Sequence, residues 1–169
     1  MLYQDILQAL NRARVSYLVA GGFAVVLRGS DRTTHDLDIM VRMDERNLVR
    51  LVRVLGALGF RPKVPVRIED FVEAKNRERW QREKGMLVFG LTSERDPRIT
   101  VDVMLDTPFD FEHAHRRREV VRTHEFCVPL VGIADLIRMK REAGREQDVY
   151  DIGFLESLLK LNRRRKKKK

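Results

Sequence analysis

Three aspartates stand where a carboxylate can do chemistry. Asp36 and Asp38 occur in the run HDLDIMV, alternating with Leu37 and Ile39. Alternation of period two marks a half-buried strand, so both carboxylates project from one face and both aliphatic side chains from the other. Such a pair can share a divalent cation that also holds triphosphate oxygens. Asp102 lies within the apolar run RITVDVML, where an unpaired ionised carboxylate would be costly to bury. If its strand lies beside that of Asp36 and Asp38, three carboxylates converge. That set suits two Mg2+ ions stabilising the attacking and leaving oxygens of a phosphoryl-type displacement.

A glycine pair points toward the same chemistry. The apolar run VSYLVA is too short for a helix and ends at Gly21-Gly22, sixteen positions before Asp38. A strand feeding a glycine pair that opens a helix leaves backbone N–H groups free at a positive dipole end, which favours phosphate. The same two glycines also suit a tight strand-to-helix turn that touches no ligand.

Gly21, Gly22, Ala24, Gly29, Arg32, Thr34, Asp36 and Asp38 together form the pattern GG-x-A…G-x-x-R-x-T-x-D-x-D. This opening resembles that of the nucleotidyltransferase superfamily of the polymerase-beta type. The likeness is to small stand-alone members related to abortive-infection type toxins and, more distantly, to aminoglycoside and lincosamide nucleotidyltransferases. It is strongest over residues 15–41, reaches Asp102, and extends weakly into the C-terminal stretch LIRMKREAGREQDVYDIGFL. There Lys140, Arg145, Asp148 and Asp151 match a K…R-x-x-D-x-x-D pattern. The resemblance implies an NTP substrate and Mg2+ or Mn2+ on Asp36, Asp38 and Asp102, with Asp102 activating an acceptor hydroxyl. It implies Lys140 as a phosphate-neutralising cation, with Asp148 orienting Lys140 or Arg145. Nucleotide contacts would come from Gly21, Gly22, Ser30, Arg32, Arg145 and Asp148. Many active members have Gly-Ser where this chain has Gly21-Gly22, and Ser30 is the nearby hydroxyl able to substitute. Arg32 reads equally as the partner of a carboxylate, and Lys140, Arg145 and Asp148 as a solvated helix face.

Several elements must position these groups. Helical spacing of Leu2, Ile6, Leu7 and Leu10 predicts a helix over 2–13, followed by the strand over 15–20 and a short helix from Phe23 that breaks at Gly29. After the Asp36–Asp38 strand, Asp44 is an acidic N-cap for a helix over 44–58 stopped by Gly59. A helix is expected over 69–83, then strands over 86–91 and 99–105 separated by SERDPR, and a short strand over 126–128. Helices over 132–143 and 147–161 follow, broken at Gly144. The fold class expected is α+β: a small mixed sheet flanked by helices, with a helical C-terminal segment, the nucleotidyltransferase-like fold that the resemblance implies.

Composition narrows the classes. The chain has 169 residues, 35% charged and 43% hydrophobic, which suits one domain, read here as 1–162 with a disordered basic tail at 163–169. The formal charge of +9 includes the seven cations Arg163–Lys169; without them the body carries +2. Cys127 alone makes neither a disulfide nor a zinc cluster, and it reads as a small buried hydrophobe in a cytoplasmic protein. No apolar run approaches the ~18 residues of a membrane span.

The function expected is Mg2+-dependent transfer of NMP from an NTP to an acceptor, with release of pyrophosphate. RNA such as tRNA, a protein hydroxyl and a small molecule all stand as acceptors at this point. The alternatives are a catalytically inactive nucleotide- or RNA-binding protein, as in a toxin–antitoxin pair, and a metal-dependent phosphohydrolase.

Overall fold

The apolar run before the glycine pair forms β1 (Tyr17–Val19), buried throughout, and the chain turns at once into α2 (Gly21–Val26). It returns as β2 (Asp36–Val41), antiparallel to β1, with Leu37 and Ile39 fully buried. This is a computed structural model, and it describes residues 3–123 and 125–167. Before β1 runs α1 (Gln4–Arg12), whose Ile6, Leu7 and Leu10 face the core. After β2 comes α3 (Glu45–Ala57); the Asp44 carboxylate accepts from the Asn47 N–H at 3.0 Å, as its acidic N-cap predicts.

The apolar runs on either side of SERDPR form β4 (Val88–Ser93) and β5 (Thr100–Met104), an antiparallel hairpin. β5 then lies parallel to β2, so the sheet is mixed, as expected. Its order is β3-β4-β5-β2-β1-β7-β6. The edge strands β3 (Phe60–Pro62) and β6 (Glu119–Arg122) have no counterpart in the sequence reading. They are short, one ends in a proline that cannot donate to a ladder, and the other begins and ends in charge, as edge strands do. β7 (Cys127–Leu130) buries Val128 and Leu130 and leaves Cys127 exposed, so this cysteine is not the buried hydrophobe expected.

The expected helix over 69–83 divides at Glu73 into a 3-10 turn (Ile68–Val72) and α4 (Ala74–Lys84). The division lets Phe71 turn inward and stack on Phe89 at 4.5 Å, with Trp80 on Phe89 at 5.5 Å. A further short helix, α5 (Phe111–Arg116), carries the Asp110 N-cap that the sequence reading passed over. α6 (Ile133–Ala143) ends at left-handed Gly144, and α7 (Glu146–Lys167) packs on it. Helix α7 continues through 163–167, where charge repulsion had predicted disorder. Lys and Arg are good helix formers, and cations are favoured at a helix C-terminus. Lys168 and Lys169 lie outside the described residues.

The stacked Phe71–Phe89–Trp80 trio ties α4 to the strand next to β5. Phe89→Ala should cost about 3–5 kcal/mol in chemical denaturation and change the near-ultraviolet circular dichroism of Trp80.

Candidate functional site

The approach of backbone to carboxylate at the start of α2 is unusually close. Gly21 adopts φ +55, and a Cβ built there would lie 1.8 Å from Asp38 Oδ2. Only a residue without a side chain fits. At Gly22 a Cβ would meet Arg32 Nη2 and Thr34 Oγ1, each at 2.9 Å. The space of a side chain at position 22 is thus filled by two groups from the loop between α2 and β2.

Parallel pairing of β2 with β5 sets Asp38 directly opposite Asp102, and Asp36 opposite Thr100, whose hydroxyl donates to the Asp36 carboxylate. Two carboxylates in register on adjacent strands repel. Burial, with Asp102 and Asp36 adding to it, pushes the Asp38 pKa up to about 6, against the pull of Arg145 and Lys140. Asp102 has a cation of its own: Lys63 Nζ donates to Oδ1 at 3.1 Å. The other oxygen, Oδ2, has no protein partner among the described residues.

Gly21, Gly22, Asp36, Asp38 and Asp102 line a cleft of about 290 Å³. Its far wall is held by a buried ion network. Lys140 Nζ lies 2.9 Å from Asp148 and 2.6 Å from Asp151, and Arg32 also pairs with Asp151. The Arg145 backbone N–H donates to Asp148 at 3.2 Å. Asp151, fully buried, therefore joins α7 both to α6 and to the loop that passes Gly22. Arg145 contrasts with Lys140. Its guanidinium lines the cleft and has no carboxylate partner among the described residues.

The profile of the aminoglycoside-2''-adenylyltransferase family matches residues 2–82, which include β1, the glycine pair and β2. Among solved structures, the lincosamide antibiotic adenylyltransferase LnuA in its lincomycin-bound form is similar at TM-score 0.62 and 18% identity, over 92% of this chain and 95% of that one. ANT(2'')-Ia in complex with adenylyl-2''-tobramycin is similar at TM-score 0.61 and 13% identity, over 94% and 87%. The chain has the nucleotidyltransferase fold of these structures. No curated protein sequence matches it significantly.

On this nucleotidyltransferase fold the residues singled out from sequence gather closely. Gly21, Gly22, Arg32, Asp36 and Asp38 line the cleft from β1–β2, and Asp102 from β5. Lys140, Arg145 and Asp148 line it from the α6–α7 junction. Ser30 does not reach it: its hydroxyl accepts from the Arg32 N–H at 3.4 Å within the loop, so it is no substitute for the missing serine. Lys140 is not the solvated helix-face residue of its alternative reading: it is buried, with Asp148 and Asp151 as its partners. Arg32 takes its alternative reading, the carboxylate pair. Thr34 of the glycine–aspartate pattern lines the cleft as well, whereas Lys63 and Thr100, the partners of Asp102 and Asp36, were missed by sequence reasoning because each acts through a contact across strands that no spacing announces.

The carboxylates do not form a complete metal cage. Among the described residues no three His, Cys, Asp or Glu side chains gather closely enough to hold an ion alone. The donors are nevertheless all hard oxygens, and Asp38 is held against its neighbours at an electrostatic cost that a cation would relieve. This set fits Mg2+ or Mn2+ completed by oxygens of a second ligand.

Two predictions follow from these charges. Since the folded-state pKa of Asp38 is raised, the group adds stability below about pH 4, and that contribution is lost as pH rises through about 6. Asp38→Asn should raise stability at pH 7.5 by at most about 3 kcal/mol and flatten the stability profile between pH 4 and 6, read by denaturant melts. Lys140→Met leaves Asp148 and Asp151 without their shared cation and should cost about 3–5 kcal/mol, measured in the same way.

Proposed function

We propose that this chain transfers a nucleoside monophosphate from a nucleoside triphosphate to a hydroxyl of a small molecule, with a divalent cation and release of pyrophosphate. The observation that carries the reading is the register of Asp38 with Asp102 on parallel β2 and β5, beside the Gly21 turn. Asp36 and Asp38 would hold Mg2+ or Mn2+, which when bound neutralises triphosphate charge. Arg145, whose guanidinium has no carboxylate partner among the described residues, binds phosphate oxygens. Asp102 Oδ2, which has no protein donor among the described residues, takes the proton of the acceptor hydroxyl. The acceptor oxygen then forms its bond to the α-phosphorus, the bond from that phosphorus to the β-phosphate oxygen breaks, and pyrophosphate leaves.

A second depression bears on the acceptor. It measures about 270 Å³ and shares Val88 and Arg145 with the carboxylate cleft. Leu87, Met104 and Met139 give it apolar walls, and Asp106 and Glu142 give it negative charge. Leu87 is 62% exposed, an open apolar contact beside the reacting groups. That combination suits an amphipathic molecule carrying a basic group. The structures with bound lincomycin and adenylyl-tobramycin support a small-molecule acceptor and lend no support to RNA or protein.

The test is incubation with each of four α-labelled NTPs, Mg2+ or Mn2+, and a panel of hydroxyl-bearing amines. Label should pass to the amine, and Asp38→Asn and Asp102→Asn should each lower transfer about 10²–10⁴-fold. Leu87→Asp should raise KM for the acceptor and leave KM for the NTP unchanged. Phosphate release without a labelled adduct would assign a phosphohydrolase instead, and NTP affinity unaltered in both aspartate variants would assign a binding protein.

A further inference from the structure

Lys63 reaches Asp102 by a route built for it. Its backbone N–H donates to the Gly90 carbonyl at 2.9 Å, continuing the β3–β4 ladder just past Pro62. Gly90 in turn stands opposite Asp102 across β4 and β5. A Cβ at Gly90 would lie 2.8 Å from Lys63 Cδ and 3.1 Å from Asp102 Oδ1. The missing side chain is therefore a notch through which the lysine stem crosses β4 to bring its ammonium to Asp102. A loose surface pair would need no such notch. The lysine side chain is 41% exposed and the aspartate 18%, so the pair is only partly enclosed.

Two further observations bear on what that ammonium does. The carboxylates of Asp36, Asp38 and Asp102 present like charge, yet no three acidic or ligating side chains among the described residues gather into a metal cage. Of the other cations lining the cleft, Lys140 and Arg32 are committed to Asp148 and Asp151, and Arg145 makes no ion pair with Asp102 among the described residues. We infer that the Lys63 ammonium takes at Asp102 the place of a second cation, so that the site works with one divalent ion, on Asp36 and Asp38, rather than two. The sequence alone suggested two ions, from the convergence of three carboxylates. Here Lys63 is a positioning residue: it counter-charges Asp102 on Oδ1 and leaves Oδ2 toward the acceptor.

This inference rests on the metal-dependent reading given under Proposed function, and one experiment separates the two. Mn2+ bound by the full chain is counted by electron paramagnetic resonance with saturating α,β-methylene-ATP, and with the guanosine analogue in parallel. The wild type should bind one Mn2+ per chain. Lys63→Met and Lys63→Gln, either of which suffices if the other is poorly folded, should bind two, and Lys63→Arg should return to one. Two ions in the wild type overturn the inference and leave the proposed function standing. One ion in every variant also overturns it, because the lysine would then not be what keeps a second ion away. No Mn2+ in any protein with either analogue removes the metal-dependent reading itself, and this inference with it.

Discussion

Side-by-side placement of two carboxylates on adjacent parallel strands is the constraint around which this molecule is arranged. Asp38 and Asp102 are fixed by the β2–β5 register and cannot separate without breaking the ladder. The aliphatic residues between them, Leu37, Ile39, Val101 and Val103, are fully buried. A shift of one residue would bury the carboxylates and expose those four side chains. The hydrophobic core thus holds the repelling charges together, and the ~25 cal/mol per Å² gained from apolar burial opposes an electrostatic penalty confined to one cleft.

That penalty is met with local cations of two kinds. Lys140 and Arg32 are enclosed with Asp148 and Asp151, a closed account in which each charge has a fixed partner. Such a buried network contributes little net stability, because desolvation offsets attraction, but removing any one member leaves a stranded charge. Its consequence is geometric: α7, α6 and the Gly22 loop keep one arrangement. Lys63 and Arg145 form the second kind: Lys63 pairs, half exposed, with Asp102, and Arg145 lines the cleft. Fixed and accessible cations divide the labour of shaping the cleft and meeting what enters it.

The legible part of this structure was the part written in local periodicity. Alternation in HDLDIMV and the apolar run around Asp102 placed the carboxylates on strands, and the glycine pair marked the strand-to-helix turn. What stayed hidden was through-space pairing. Nothing along the chain joins Lys63 to Asp102, 39 positions away, or Arg32 to Asp151, 119 positions away. The lysine in LIRMKREAG has polar neighbours in sequence and reads as solvated, yet α6 turns it inward to 6% exposure because two aspartates of α7 wait there. Short edge strands escaped for a different reason: three or four residues carry too little pattern to separate from loop.

The Gly21-Gly22 pair joins these two levels. Gly21 is required by Asp38, which occupies the volume of a Cβ, while Gly22 is required by Arg32 and Thr34, which occupy its own. A serine at position 22 would have to displace the guanidinium that reaches Asp151. The departure from Gly-Ser is therefore coupled to the buried network: the chain has no hydroxyl at the helix start, and the guanidinium in that place fastens its C-terminal helix to the loop between α2 and β2. Since Asp151 is also bound by Lys140, the fastening extends to α6, and through Asp148 to the backbone of Arg145. The residue that presents the unpaired guanidinium to the cleft is thereby held by the same ions that replace the serine, so loss of the hydroxyl and placement of Arg145 are two ends of one structural solution.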